Sequence, residues 1–211
     1  MGLLLALRTR KAARTRRAKF FDSRQNVTEL CYAPFAEYNW TRTEMPSLAY
    51  LSLGSNVGDR AFHLRDAISR LGSLGRIVAV SSFYETEPIE VTDQAWFVNC
   101  VLVLETALTP EELMASLLRI EQEMGRRRTR EKGPRTIDLD ILLFCDATTG
   151  PTITDSPELT IPHPAMHKRR FVLEPFAEIA PDVQHPAMKR TIRELLDDLP
   201  AGQAVRKLKK N

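Results

Sequence analysis

Asp138 and Asp140, two aspartates separated by one residue, have types and spacing that could do chemistry. Side chains alternate along a strand, so both carboxylates are predicted on one face, with Cα atoms about 7 Å apart. The alternation extends that face to Leu142 and Phe144. It also predicts an apolar opposite face, made by Ile137, Leu139, Ile141 and Leu143. Paired hard oxygen ligands suit Mg²⁺, whose other positions go to water and phosphate oxygens. A solvated strand end explains such a pair about equally well.

A run of basic residues precedes the two aspartates and favours the metal-site interpretation over a solvated strand end. It consists of Arg126, Arg127, Arg128, Arg130, Lys132 and Arg135. Gly125 and Gly133-Pro134 make the segment a loop, and a solvated basic loop is the ordinary explanation of such a run. Here the loop leads directly into the acidic pair, and guanidinium groups beside metal-binding carboxylates are what a polyphosphate requires. The chain has no Gly-x-x-x-x-Gly-Lys-Ser/Thr and no Gly-x-Gly-x-x-Gly, so neither a P-loop nor a dinucleotide fingerprint is expected.

A third candidate is His163, which lies between two prolines in the segment 160–164. The prolines fix the backbone, which favours a placed side chain, and with Arg169 nearby it could hold phosphate. A lone histidine is more often structural. His163 and His167 have the spacing of zinc ligands on a helix, but Pro164 disfavours one helix through both, and no acidic or cysteine partner has metal-site spacing.

The elements that must position these residues follow from hydrophobic periodicity. Strands are predicted at about 48–53, 76–84, 97–106 and 136–144, with helices from about 59 to 72 and from 109 to 125. Thr109, Pro110 and Glu112 form a capping box with proline at the first helical position. The order β-α-β-β-α-β predicts an α/β chain of the α+β sandwich type, with a ferredoxin-like core. Loop and short helix over 162–180 and a last helix over 191–199 are C-terminal additions.

Charge and composition bound the class of protein. The chain has 211 residues and a net charge of +3. Residues 1–44 hold nine lysines and arginines against four acids, so the body from 45 to 211 is close to neutral. A near-neutral body argues against a general nucleic-acid binder. The three cysteines are far apart, which disfavours a disulfide framework, and no apolar run approaches membrane-spanning length. We expect a cytoplasmic monomer without nucleic-acid or membrane partners.

The first 44 residues have a composition of their own. Met1 to Phe21 contains no acidic residue and is rich in arginine and alanine. A basic, disordered extension and a start codon placed before the true start at Met45 are the simplest interpretations. An organelle transit peptide has the same composition and stays an alternative. We expect the working domain to occupy residues 45–211.

Four segments together make the chain resemble the hydroxymethyldihydropterin pyrophosphokinase family. They are residues 50–60, which contain Gly-Ser-Asn, residues 81–86, residues 133–140, which contain Arg-Thr-Ile-Asp-Leu-Asp, and residues 159–171. The resemblance runs in order from about 48 to 199 and leaves residues 1–44 outside. It implies transfer of pyrophosphate from ATP to 6-hydroxymethyl-7,8-dihydropterin, in folate biosynthesis.

The resemblance also implies roles for individual residues. Asp138 and Asp140 match the ligands of two Mg²⁺ ions. Catalytic contacts to ATP and the transferred group are implied for Arg126, Arg128, Arg135, His163 and Arg169. Nucleotide contacts are implied for Glu121, Ile141, Thr160, His163 and Arg169. The pterin pocket is implied for Thr86, Pro88, Ile89, Phe97, Asn99 and Phe171.

Three other interpretations stay open on the sequence. The same fold builds RNA-binding modules, but these carry aromatic residues on their central strands, where this chain has carboxylates. A catalytically inactive relative would lack some of Arg135, Asp138, Asp140 and His163, which are all present. A different two-metal phosphotransferase would share the acidic pair and would be distinguished by its products.

Overall fold

A computed structural model describes residues 46–89, 93–126 and 133–209 of the chain. The predicted extension 1–44 lies outside the described residues, and so does Arg128. No helix within the described ranges combines the length and apolar character needed to cross a membrane.

The main sheet is antiparallel and is built around three long strands. These are β1 (Ser47–Ser55), β4 (Phe97–Thr106) and β5 (Asp138–Asp146), with β1 between the other two. The shorter strands β2 (Arg76–Val80) and β3 (Tyr84–Thr86) both pair with β4. At the two edges lie β6 (Gly150–Pro151), beside β5, and β11 (Val205–Lys207), beside β3. Small two-stranded ladders join β7 (Thr154–Asp155) to β8 (Thr160–Ile161) and β9 (Gln184–His185) to β10 (Arg190–Thr191).

Two helices cover one face of this sheet, as the sequence predicts for a ferredoxin-like core. Helix α1 (Arg60–Leu71) begins at Asp59, whose side chain accepts a hydrogen bond from the Phe62 N–H. Helix α2 (Pro110–Glu123) begins with the predicted capping box, formed in both directions between Thr109 and Glu112. Their apolar sides pack on alternate residues of β1, β4 and β5 to form the first core.

The second face of the sheet is covered only in part. Helices α3 (Arg170–Ile179) and α4 (Ile192–Asp197) pack over one half, where Tyr50, Val101 and Val103 are buried. The other half carries Ser52, Gly54, Phe97, Asn99, Asp138 and Asp140, by continuation of the same alternation. The C-terminal additions therefore leave one end of this face open for a site.

The second predicted strand is divided in two. The sequence predicts one strand over 76–84, but the chain leaves the ladder at Ser81 and Ser82 and re-enters it at Tyr84. Where the ladder is interrupted, the Ser81 Oγ accepts a hydrogen bond from the Val101 N–H on β4. The Ser82 N–H and hydroxyl both donate to the Glu178 carboxylate on α3. Side-chain oxygens thus accept hydrogen bonds from backbone N–H groups that lack a ladder partner there.

The predicted alternation along β5 is wrong beyond Leu142. Tyr50 pairs with Leu143 while Leu51 pairs with Ile141, so Leu142 is an extra residue in a β-bulge. Leu142 and Leu143 consequently both contribute to the second core, and Phe144 turns to the first. The prediction holds before the bulge, where Ile137, Leu139 and Ile141 face the helices. Periodicity cannot predict a bulge, because the apolar run 141–145 fits either phase.

Candidate active site

One pocket of about 310 Å³ occupies the open half of the second face. Twelve residues with predicted site roles line it: Thr86, Pro88, Ile89, Phe97, Asn99, Arg126, Arg135, Asp138, Asp140, His163, Arg169 and Phe171. The volume is at the small end of the range for ligand pockets. Its lining divides into a charged end on β5 and an aromatic and amide end on β3 and β4.

At the charged end, Asp138 is held between two arginines. Oδ1 of Asp138 lies 2.7 Å from Nη2 of Arg126, and Oδ2 accepts a hydrogen bond from Nη1 of Arg135. All three side chains are about one-fifth exposed, so these charge-assisted bonds lie at the pocket surface. The arginines and the carboxylate form one connected charged group.

Glu121 anchors this group from beneath the pocket. Its buried carboxylate accepts hydrogen bonds from Arg126 and, at 2.7 Å, from the Leu139 N–H, which lies between the two aspartates. Burial raises the pKa of Glu121, while the Arg126 guanidinium and the Leu139 N–H oppose the rise. Glu121 does not line the pocket, so within the described structure it acts on Arg126 and on the β5 backbone.

We expect Glu121→Ala to lower the melting temperature by roughly 5–10 °C, because the Leu139 N–H would lose this acceptor and Arg126 would lose one of its two carboxylate partners. Glu121→Gln keeps an acceptor for the Leu139 N–H and should melt within a few degrees of the parent protein. Thermal denaturation of the two variants in parallel measures the difference. An alanine variant that melts like the parent would show that this carboxylate does not stabilise the fold.

Asp140, His163 and Arg169 complete the charged end. Burial raises the pKa of Asp140 well above its ordinary value, the Asp138 charge adds to this, and the Arg169 charge opposes it. Burial also lowers the pKa of His163 to about 4, and Arg169 adds to that shift. The neutral ring accepts the Ala165 N–H at Nδ1, 3.1 Å away, so its own proton is on Nε2. His163 can therefore donate a hydrogen bond without carrying charge.

The position of His163 depends on the bulge in β5. The His163 N–H donates to the carbonyl of Leu142, the bulged residue, at 2.9 Å. The bond between Ile161 and Pro162, just before the histidine, is cis. These contacts bring residues 163–169 beside the aspartates, although more than 20 sequence positions separate them.

At the other end of the pocket, a buried polar pair lies on the sheet. The Asn99 Nδ2 donates to the Thr86 Oγ1 at 2.7 Å, across the β3–β4 ladder. This bond leaves the Asn99 Oδ1 over Gly54 on β1, where a Cβ would stand 2.5 Å from it. Glycine is therefore required at 54 for the amide to lie in this position. The rings of Phe97 and Phe171 and the side chain of Pro88 complete an apolar surround.

Asn56 links the loops on either side of the pocket. Its Oδ1 accepts the Arg135 N–H at 2.8 Å, and its N–H donates to the Arg135 carbonyl at 3.2 Å. Its Nδ2 donates to the Gln94 Oε1 and to the Ala95 carbonyl. One buried asparagine thus fixes the backbone of a catalytic candidate relative to the segment that precedes Phe97.

Some predicted residues lie elsewhere. Ile141 is in the first core, on the opposite face of β5 from the pocket. Thr160 donates through Oγ1 to Asp155 in the β7–β8 ladder and does not line the pocket. Arg128 is outside the described residues. The nucleotide contacts predicted for Ile141, Thr160 and Glu121, and the catalytic contact predicted for Arg128, therefore stay predictions.

Sequence reasoning assigned no role to four residues that line the pocket: Ser52, Gly54, Glu87 and Gln94. A signal existed for Ser52, because a polar side chain interrupts the apolar run 48–53, and for Gly54, which lies on the same strand face. Nothing local distinguishes Glu87 or Gln94 from ordinary loop residues. Only the tertiary structure shows that Glu87 and Gln94 line the pocket.

The donor set fits Mg²⁺ only with help from a ligand. Within residues 46–89, 93–126 and 133–209, no three histidine, cysteine or acidic side chains converge as a metal site. Asp138 and Asp140 supply hard oxygen atoms on one strand face, which suits a cation that keeps water or phosphate oxygens in its other positions. A closed all-protein cage is not formed by this part of the chain.

The fold and the pocket define an α+β sandwich domain with a carboxylate- and arginine-lined pocket on its partly covered sheet face. The chain belongs to the 7,8-dihydro-6-hydroxymethylpterin-pyrophosphokinase (HPPK) family, whose model matches residues 50–181. That range contains every residue that lines the pocket. The resemblance inferred from the sequence is confirmed.

Individual relatives agree with this assignment. The chain is 43% identical over 145 residues to the 2-amino-4-hydroxy-6-hydroxymethyldihydropteridine pyrophosphokinase of Bacillus subtilis, covering 68% of this chain and 84% of that protein. The protein of the same name from Methylorubrum extorquens is 43% identical over 157 residues, 73% of this chain and 95% of that protein. The folic acid synthesis protein fol1 of Schizosaccharomyces pombe is 44% identical over 156 residues, 73% of this chain.

Solved structures share the fold. The wild-type HPPK-DHPS of Plasmodium falciparum with SDX-DHP superposes with a TM-score of 0.57 at 18% identity, over 72% of this chain and 44% of that one. The same protein with pteroate gives a TM-score of 0.55 at 17% identity, over 72% and 44%. The matched region is 21% of the length of the S. pombe protein, so the chain spans only part of some relatives.

Proposed function

We propose that this protein transfers pyrophosphate from ATP to 6-hydroxymethyl-7,8-dihydropterin, giving AMP and the pterin diphosphate. One observation carries the proposal: a single pocket joins an aromatic and amide end to an end rich in carboxylates and guanidinium groups. A pterin alcohol fits the first end and a triphosphate the second. The matches to the two bacterial relatives cover most of the length of those proteins, and the names of both relatives support the same reaction.

The aromatic and amide end suits a flat heterocycle with hydrogen-bonding edges. Phe97 on β4 and Phe171 on α3 supply ring faces from two different elements, so they can bind a planar ligand between them. The Asn99 Oδ1 and the backbone of the 86–89 segment supply polar groups for its edge. Thr86 holds the Asn99 amide in one orientation, which would favour one orientation of the ligand as well.

The charged end suits a triphosphate. Three guanidinium groups (Arg126, Arg135 and Arg169) and three carboxylates (Glu121, Asp138 and Asp140) lie together, so their formal charges balance. A triphosphate adds negative charge to this balanced group, which is unfavourable unless cations enter with it. Asp138 and Asp140 would hold Mg²⁺, which would supply positive charge to stabilise the negative charge that develops during transfer.

The residues of the chain would then act as follows. The hydroxymethyl oxygen of the pterin attacks the β-phosphorus of ATP and releases its proton to water, a P–O bond to that oxygen forms, and the bond between the β-phosphorus and the α-phosphate oxygen breaks as AMP leaves. Arg126 and Arg135, which occupy both oxygens of Asp138 here, turn from the carboxylate to the phosphates. His163, through its Nε2–H, and Arg169, which both line the pocket, would donate to a phosphate oxygen. The two substrates meet where Arg135 lies 5.8 Å from the Phe97 ring centroid.

Product analysis tests the proposal directly. Purified protein is incubated with ATP, Mg²⁺ and 6-hydroxymethyl-7,8-dihydropterin, and nucleotides and pterins are separated by chromatography. AMP and the pterin diphosphate should appear in equal amounts, and neither should form when Mg²⁺ is chelated. Formation of ADP, or of AMP without a pterin product, would refute the proposed reaction.

We also propose that residues 1–44 are not needed for this reaction. Every residue that lines the pocket lies between positions 52 and 171, and β1 begins at Ser47. A protein that begins at Met45 should keep its melting temperature within about 2 °C and its kcat and both KM values within about twofold. Comparison with the full chain measures this. A large loss of activity, or insolubility, would show that the extension packs on the domain.

A further inference from the structure

The C-terminal segment of the chain reaches the pterin end of the pocket through one side chain, Gln203. Its Oε1 accepts the Phe171 N–H at 3.2 Å, and its Nε2 donates to the Glu87 carbonyl at 3.3 Å. Both partners are backbone groups of fixed polarity, so the amide has only one orientation that satisfies both. Gln203 thereby connects two opposite walls of the pocket, which come from α3 and from the segment after β3.

We infer that Gln203 is a positioning residue for the pterin site of the proposed reaction. Phe171 is the second residue of α3, where backbone N–H groups have no partner within the helix. Arg169 at the helix N-cap makes no side-chain capping bond. Gln203 therefore supplies from a distant part of the chain the acceptor that a capping side chain normally provides. The bond fixes the backbone from which the Phe171 ring extends into the pocket.

The second bond of Gln203 fixes the opposite wall. Glu87 lines the pocket and directly precedes Pro88 and Ile89, which line it too. Residue 204 adds two more bonds to Glu87: its carbonyl accepts the Glu87 N–H at 3.1 Å, and its N–H donates to the Glu87 Oε2 at 3.3 Å. Residues 203 and 204 thus bond both the N–H and the carbonyl of Glu87, the residue directly before Pro88.

The same segment also reaches the loop before Phe97. The Arg206 guanidinium on β11 lies over the Trp96 ring, 5.1 Å from its centroid. On the other side, Arg60 donates to the Trp96 carbonyl at 2.7 Å and pairs with Glu85. Residues 203–206 therefore contact each of the three segments that build the pterin end, although they lie beyond the region 50–181 that the family model matches.

The test uses Gln203→Ala and Gln203→Met in the full-length protein. Methionine keeps the length of the side chain and removes both hydrogen bonds, so it separates positioning from packing. In both variants we expect the KM for the pterin alcohol to rise about tenfold, from the loss of two neutral hydrogen bonds. The KM for ATP should stay within about twofold, because both hydrogen-bond partners of Gln203, the Phe171 N–H and the Glu87 carbonyl, belong to the pterin end.

Lys207→Ala is the matched control, since it breaks a contact between the same segment and the other end of the same helix. Lys207 Nζ donates to the Glu178 carboxylate at 2.8 Å, near the C-terminus of α3. This variant should keep both KM values. Equal changes in both KM values in the Gln203 variants, or a methionine variant with normal pterin KM, would overturn the positioning role. A parent protein that forms no pterin diphosphate would instead overturn the proposed function on which this inference rests.

Discussion

Replacing Asp138 or Asp140 by asparagine is expected to lower kcat by about 10³-fold or more, because each change removes an anionic oxygen ligand from the proposed Mg²⁺ site. Asparagine has nearly the same shape, so the fold should persist. Burial disfavours the charged form of Asp140, so a neutral amide there should leave the melting temperature of the metal-free protein unchanged or higher. Turnover at saturating Mg²⁺ and thermal denaturation measure the two effects.

Asp146→Asn provides the matched control, since Asp146 lies at the far end of the same strand. Its Oδ1 accepts from the N–H groups of residues 148 and 149 in the following turn, a role that an amide oxygen can also fill. Turnover of this variant should equal that of the parent protein. Near-normal turnover of the Asp138 or Asp140 variant at saturating Mg²⁺ would remove that carboxylate from the metal site.

Replacing Arg135 by alanine is expected to lower kcat by about 10²-fold or more while the dissociation constant for ATP changes less than about tenfold. Asn56 holds the Arg135 backbone by two hydrogen bonds. The Arg135 guanidinium lies between Asp138 and the Phe97 ring. In the proposed reaction, an arginine at the junction of the two substrates would stabilise charge that develops in the transition state. Single-turnover kinetics and equilibrium ATP binding separate the two quantities.

Arg135→Lys and Arg76→Ala refine this test. Lysine keeps the charge and loses the planar fork, so it should recover only part of the lost turnover. Arg76 pairs with Glu105 at the protein surface on β2 and β4, away from the pocket, and its replacement should leave turnover unchanged. A large loss of ATP affinity with unchanged kcat in Arg135→Ala would make Arg135 a ground-state binding residue.

Local rules predicted most of the fold. Thr109, Pro110 and Glu112 form their capping box in the structure, and strand β4 occupies the predicted residues 97–106, because these signals act within a few positions of each other. The same applies to the common face of Asp138 and Asp140, which needs only the period of a strand. The order of helices and strands then sufficed for the ferredoxin-like core.

The details that position the site depend on contacts distant in sequence. The division of the strand 76–84 depends on Glu178 on α3, which accepts from Ser82 and from the Tyr84 hydroxyl. The bulge at Leu142 depends on how β5 pairs with β1, since an apolar run has no preferred phase. Sequence patterns report a residue's neighbours along the chain and not its partners across the sheet.

The sequence by itself predicted a group of carboxylates and arginines that could bind a triphosphate, since the basic run leads directly into the acidic pair. Only the tertiary structure decided that Asp138 lies between Arg126 and Arg135, that Glu121 supports them from the core, and that Asn56 and Gln203 fix the pocket walls. The bonds of Glu121 to Leu139, of Asn56 to Arg135 and of Gln203 to the two pocket walls join residues from 18 to 116 positions apart. Such pairs form because the sheet and its two cores bring the segments together, and no local pattern records them.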